Sequence, residues 1–225
     1  MKKFFLPAFL GMFLFVFSLQ AAESAQPETS GWTPFQLGFF PRVPQYTYSS
    51  NVYGIKTGWP MCSGIGQVKG LEASWLLSGT DYIDGAQGSM VCSIGKKVNG
   101  LQASIVLCLN KTLVSGIQAS CVFNCAGAVI GLQAGGLNIA GSMSGFQPGV
   151  LGNITGEMNG FQAGLYNVTG TLKGMQASAV NVAGDAQGGF QFGVVNVSGN
   201  GGCQFGLINI IKGGVLPVMI LFNFD

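Results

Sequence analysis

Six cysteines have the widest choice of chemistry in this 225-residue chain: Cys62, Cys92, Cys108, Cys121, Cys125 and Cys203. A thiolate can act as a nucleophile or a metal ligand, and two thiols can oxidise to a disulfide. No two of the six are spaced as Cys-x-x-Cys, which argues against a metal centre. The chain contains no His, so a His general base, a Ser-His-Asp triad and a His-containing zinc site are all excluded. Acidic residues in the repeats are few and scattered: Glu72, Asp81, Asp84, Glu157 and Asp185. Asp81 and Asp84 are close enough in sequence to touch a cation, but they read more simply as carboxylates of a solvated loop. No phosphate-binding Gly-x-x-x-x-Gly-Lys-Ser/Thr occurs. Asn110, Asn153, Asn167 and Asn196 each begin an Asn-x-Ser/Thr triplet, the acceptor pattern for N-glycosylation. Three of the four share a column of turn asparagines, so a structural role is the expectation.

These residues are set out by a repeat. Gly160-Phe161-Gln162-Ala163-Gly164-Leu165-Tyr166-Asn167 has near copies before and after it. When copies are anchored on Gln, the anchors are Gln87, Gln102, Gln118, Gln133, Gln147, Gln162, Gln176, Gln191 and Gln204, at spacings of 13 to 16 residues. Lys56 and Glu72 fill the same slot in two earlier, degenerate copies. Two places before the anchor, all eleven copies have Gly, and two places after it all have Gly or Ser. The residues on either side of the anchor are apolar or small. A repeat of fixed period signals a stacked architecture. The two-residue alternation signals strands, and a helix would tolerate so many glycines poorly.

The ends depart from the repeat. Met1-Lys2-Lys3, an apolar run to Leu19 and small residues to Ala22 have the form of a secretory signal peptide over residues 1–22. Residues 23–53 form a polar lead and an N-terminal cap, with a short strand at Phe35–Phe39 in which Gln36 and Gly38 echo the repeat. The repeats then run over 54–211, and 212–225 read as a C-terminal cap strand. Without the signal segment the chain has eight basic and eight acidic residues, and this neutrality argues against a nucleic-acid partner. Charged residues are 8% of the chain, and none occurs between Lys111 and Glu157. So little charge favours association with lipid, another protein or a second copy.

Two all-β architectures fit. In a β-solenoid of about eleven repeats, each repeat is one coil and like residues stack at about 4.8 Å, so the Gln column becomes an amide ladder. In a transmembrane β-barrel, each repeat is one strand with Phe, Ala and Leu toward lipid. The solenoid is the expectation, because successive copies are alike rather than alternating between up and down strands. In the solenoid, Cys92 and Cys108 follow their anchors by five and six places in adjacent coils. They are therefore the best-placed pair for a disulfide. The competing reading is that each is a small buried residue in an apolar or Asn column.

Tandem Gly-Leu-Gln-x-Gly-Leu-x-Asn units behind a signal peptide resemble those of bacterial exported surface repeat-containing proteins. The segments Pro34 to Pro41 and Val52 to Ile55, and the ending Leu216-Pro217 to Phe224, are similar to theirs as well. The resemblance implies export to the cell surface or envelope and carries no established activity, catalytic residue or cofactor. The expectation is a non-enzymatic protein, without cofactor, that presents an extended Gln, Gly and Ser face to a macromolecule or to itself. An outer-membrane barrel or pore is the alternative.

Overall fold

A computed structural model describes residues 31–40, 42–186 and 188–225; the expected signal peptide lies outside them. The chain winds into a β-solenoid of about twelve turns. Strand β1 (Trp32–Gly38) is followed by one helical turn, α1 (Tyr46–Ser49). Then come β2 (Asn51–Gly58), β3 (Met61–Ser74), β4 (Leu77–Ser89), β5 (Cys92–Ser104), β6 (Leu107–Ser120), β7 (Phe123–Asp185), β8 (Phe190–Ser198), β9 (Cys203–Ile211) and β10 (Val218–Phe224). They form one sheet in sequence order from β1 to β10. Its two ends stay apart, so there is no barrel.

Every successive pair from β1 to β9 is parallel, as a solenoid requires. The register is the one the Gln anchor predicts: Gln36 stacks on Lys56, Lys56 on Glu72, Glu72 on Gln87 and Gln87 on Gln102. β1 is therefore a divergent first coil. Its Pro34 supplies the carbonyl oxygen beneath Gly54, the place that glycine fills in later coils. Backbone bonds between coils continue around the corners, as in Met90 N–H to Trp75 O and Cys121 N–H to Ile105 O. In β7 the strand runs unbroken for 63 residues through several coils. The last strand reverses: residues 212–217 turn the chain back, and β10 pairs antiparallel with β9.

Four columns fill the interior, one of them a mixed column through Asn110, Ala126, Ala140, Thr155, Thr169, Ala183, Ser198 and Ile211. Four residues before the anchor slots from Lys56 to Gln176 stand Val52, Val68, Ile83, Val98, Val114, Val129, Met143, Met158 and Leu172, all at most 3% exposed. The Gln column faces inward beside them. The third column starts as Cys62, Ser78, Ser93 and Cys108 and continues as Asn124, Asn138, Asn153, Asn167, Asn181, Asn196 and Asn209. The core is thus apolar along one column, largely amide-filled along two and mixed along the fourth. Buried amides are tolerated only when hydrogen-bonded.

Candidate functional site

The nine predicted anchor glutamines do form a ladder. Gln102 Nε2 donates to Gln87 Oε1 at 2.9 Å, Gln133 Nε2 to Gln118 Oε1 at 2.7 Å, and Gln162 Nε2 to Gln147 Oε1 at 2.7 Å. The pattern continues through Gln118, Gln147, Gln176 and Gln191 to Gln204, whose Nε2 donates to Gln191 Oε1 at 2.7 Å. Several of the amides also cross the interior to a backbone carbonyl, as Gln102 does to Leu109 O and Gln191 to Val197 O.

All nine are buried, which corrects the expectation that they line an outward face. An amide that finds its partners in the coils above and below, and in the opposite wall, needs no water. The apolar residues on either side of each anchor take the outside. The asparagines behave likewise: Asn138 Nδ2 donates to Asn153 Oδ1 at 2.9 Å and to Pro148 O at 2.6 Å. The four Asn-x-Ser/Thr asparagines are at most 5% exposed, so a glycan could not reach them in this fold.

The two ladders run in opposite senses. Glutamine N–H groups point toward the N-terminal coils; asparagine N–H groups point toward the C-terminal coils, from Asn124 to Asn138 onward. The donor end of the glutamine ladder lands on a carboxylate, with Gln87 Nε2 donating to Glu72 Oε1 at 3.3 Å. A negative charge suits that end, where the aligned amide dipoles present N–H groups. One coil earlier, Lys56 Nζ donates to Ser63 O at 2.9 Å and to Thr80 Oγ1 at 2.8 Å. Burial holds the Lys56 ammonium below its ordinary pKa, and the nearby Glu72 partly opposes this.

The two degenerate slots therefore depend on each other electrostatically. Glu72→Gln alone should cost about 2 kcal/mol, because it removes the carboxylate that balances a buried ammonium. The Lys56→Gln, Glu72→Gln double variant should recover most of that loss by extending the neutral ladder. Urea denaturation of the two single variants and the double variant at pH 7 tests this coupling. A double variant as unstable as the sum of its singles would refute it.

The structure does not bring Cys92 and Cys108 together. Cys92 stacks on Leu107 and Cys108 on Ser93, so the two lie in neighbouring columns that alternate between outer and inner sides. Both are free thiols. Cys108 sits in the column that later holds asparagine, and its Sγ donates to Ala119 O at 3.2 Å. Burial pushes the Cys108 and Cys125 thiols up to about 11. Burial, followed by the Glu72 carboxylate, pushes Cys62 up to about 12. These three stay protonated well above the ordinary thiol range and are poor nucleophiles. In the native protein at pH 8, a maleimide should label exposed Cys121 first and leave Cys62, Cys108 and Cys125 unlabelled until urea is added. Mass mapping checks this, and rapid native labelling of Cys108 would contradict the register.

Asp81 and Asp84 lie on β4 rather than in a loop. Asp81 pairs with Lys96 at 2.7 Å, and Asp84 accepts from Asn99 Nδ2 at 2.9 Å. Among the described residues, no group of three or more His, Cys, Asp or Glu could hold a metal ion. No described helix is long and apolar enough to cross a membrane.

The feature that sequence reasoning missed is on the outer surface. In the repeats, apart from the anchor-slot Lys56 and Glu72, the charged residues fall three to seven places before an anchor: Lys69, Asp84 and Lys173 at three, Lys97 and Glu157 at five, Asp81, Lys96 and Asp185 at six, and Lys111 at seven. From one place before to seven places after an anchor, the only charged residues are the buried Lys56 and Glu72. One side of the prism is therefore charged, and the Gln-bearing side and its adjoining corner are apolar outside. Leu101, Ile117, Phe146, Met175 and Phe190 form one ridge; Met90, Ile105, Val150, Leu165 and Leu207 form another at the corner. Like residues stack within each ridge, with Phe146 on Phe161 at 5.3 Å between ring centroids. Beside the corner ridge runs a shallow, open groove floored by Ala103, Ala119, Ala134, Pro148 and Ala163. Further along the same column Phe192 and Phe205 stack at 5.2 Å between ring centroids. No family model, curated protein or solved structure matches this chain.

Proposed function

We propose that this is a non-enzymatic, exported repeat protein of the cell surface or envelope, which acts by contact along one extended outer face. The observation that carries the reading is the uncharged apolar face that follows the Gln column along the solenoid. An apolar strip of that length is costly to leave in water, and large exposed patches mark interaction sites. The signal-peptide form of residues 1–22 supports export, as does the resemblance of the repeat phrases to surface repeat proteins. The rest of the molecule gives little to catalysis. Its interior amides are occupied by one another, three of its thiols are buried and protonated, and it has no His. The contact face is the apolar one, since the Gln residues first assigned to it point inward.

Cell fractionation combined with protease treatment of intact cells tests the reading. The protein should partition with the envelope or the medium and be cut by protease added to intact cells. A protein confined to the cytoplasm, or fully shielded in the periplasm, would defeat it.

A further inference from the structure

The apolar face has a relief as well as a chemistry. Its floor is a column of small residues, Ala103, Ala119, Ala134, Pro148 and Ala163, and the corner column beside it carries Met90, Ile105, Val150, Leu165 and Leu207, stepping down to Cys121 and Gly136 between Ile105 and Val150. Both run parallel to the solenoid axis on the same face of the same chain. Val150 is 79% exposed and Leu165 60%, so the ridge projects without support from its own coil.

Size narrows the choice of occupant. At about 4.8 Å per coil the face is some 55 Å long, and three alternating side chains make it about 15 Å wide, an area near 800 Å². The largest apolar patch of an ordinary monomer is about 300–600 Å², whereas a stable dimer buries about 800 Å² on each partner. Hydrogen bonding narrows it further. The backbone groups of the floor are committed to the ladder between coils, so the groove offers nothing to the amides of an extended peptide, which would be buried unpaired. A second sheet face has its own backbone satisfied. It packs on a first at about 10 Å through side chains alone. A fluid hydrocarbon layer would not call for a matched ridge and groove.

We propose that this face packs against the same face of a second copy of the chain, with the corner ridge of each seated in the alanine groove of the other. Since one surface carries both the ridge and the groove, the contact is self-complementary and closes as a two-fold dimer. The charged sides of both copies then face water. This inference rests on the reading of the apolar face as the contact surface and names what it contacts.

The test is the mass of the protein as isolated from cells, measured by sedimentation in detergent-free buffer over a wide concentration range. The wild type should sediment as a dimer. Val150→Lys on the ridge and Ala134→Lys in the groove should each weaken the dimer about 100-fold, as expected for central positions of an interface. Lys173→Gln on the charged side should leave it intact. Val150 has few contacts of its own, so V150K keeps the test valid even if A134K fails to fold. A dimer indifferent to V150K would overturn the proposal, and so would a wild type that stays monomeric. In the monomeric case, envelope fractionation of the V150K strain separates two failures. If V150K releases the protein from the envelope, or from phosphatidylglycerol vesicles, the face contacts lipid or another partner and only the dimer is lost. If V150K changes neither, the contact reading falls with it.

Discussion

Gly160→Val should destabilise the protein by about 4 kcal/mol or more, enough to prevent recovery of a folded chain. Two costs coincide at this residue. Its φ is +140°, a conformation that L side chains rarely adopt and a β-branched residue least of all. A Cβ placed on its backbone would also run into the carbonyl oxygen of Gly145, the equivalent glycine one coil below. That oxygen belongs to backbone held in the sheet and cannot swing aside as the tip of a side chain can. The same pair of constraints recurs at Gly70, Gly85, Gly100, Gly116, Gly131, Gly145 and Gly174, each set over the carbonyl of the glycine before it. Backbone strain alone would be worth about 1–3 kcal/mol, and only a short list of mechanisms, steric overpacking among them, exceeds 4. Gly188 supplies the control. Its φ is +76°, but a Cβ there would meet nothing within 4 Å, so Gly188→Ala should cost about 1 kcal/mol. Far-UV circular dichroism and urea denaturation of the two variants decide the matter. A G160V protein within 1 kcal/mol of wild type would show that the glycine column is not a steric necessity.

That column could be read from sequence because its cause is local to each coil and repeats with it. A position that must lie against the backbone of its neighbour admits glycine only, so eleven copies preserved it through changes elsewhere. The register followed from the Gln anchors for the same reason, and it even placed Lys56 and Glu72 correctly in slots where their charge looks out of place. At Gly189 the expectation weakens: φ there is not positive, and the corner is carried by Gly188 instead.

What the sequence could not settle was which side of the strand faced in. The alternation separates Gln, Gly and Ser from Leu, Phe and Ala, and hydrophobic burial alone would turn the second set inward. The outcome is the reverse, because the interior of a narrow coil is measured in stacked copies. Away from the ends of a column, an amide placed there meets an identical amide one coil away in either direction, which compensates its desolvation. The apolar set on the outside covers itself partly by stacking, as Phe146 does on Phe161. The disulfide expectation failed by a single place. Cys92 and Cys108 are five and six residues after their anchors, and in a strand one residue is the difference between the two sides.

The same compensation makes the ladder fragile at its middle. Gln133→Leu should cost about 3 kcal/mol, although it replaces a buried polar group by an apolar one of similar size. Gln133 joins three others: its Nε2 donates to Gln118 Oε1 at 2.7 Å and to Ile139 O at 3.2 Å, and its Oε1 accepts from Gln147 Nε2 at 2.6 Å. Leucine leaves the Gln118 carbonyl on one side and a Gln147 N–H on the other, both buried and both without their ladder partner. Each orphaned group costs about 1–3 kcal/mol, and the apolar gain of the leucine offsets part of the sum. Position in the ladder then becomes the test. Gln204 stands at the C-terminal end, where its own Oε1 has no partner even in the wild type. Gln204→Leu therefore removes one unsatisfied oxygen, and Gln191 Oε1 is the single ladder acceptor left without its donor. Its cost should be no more than half that of Gln133→Leu. Equal losses in urea denaturation would mean that the orphaned neighbours do not set the cost. A larger loss in the middle would mean that the cost follows the number of ladder partners each amide leaves unpaired.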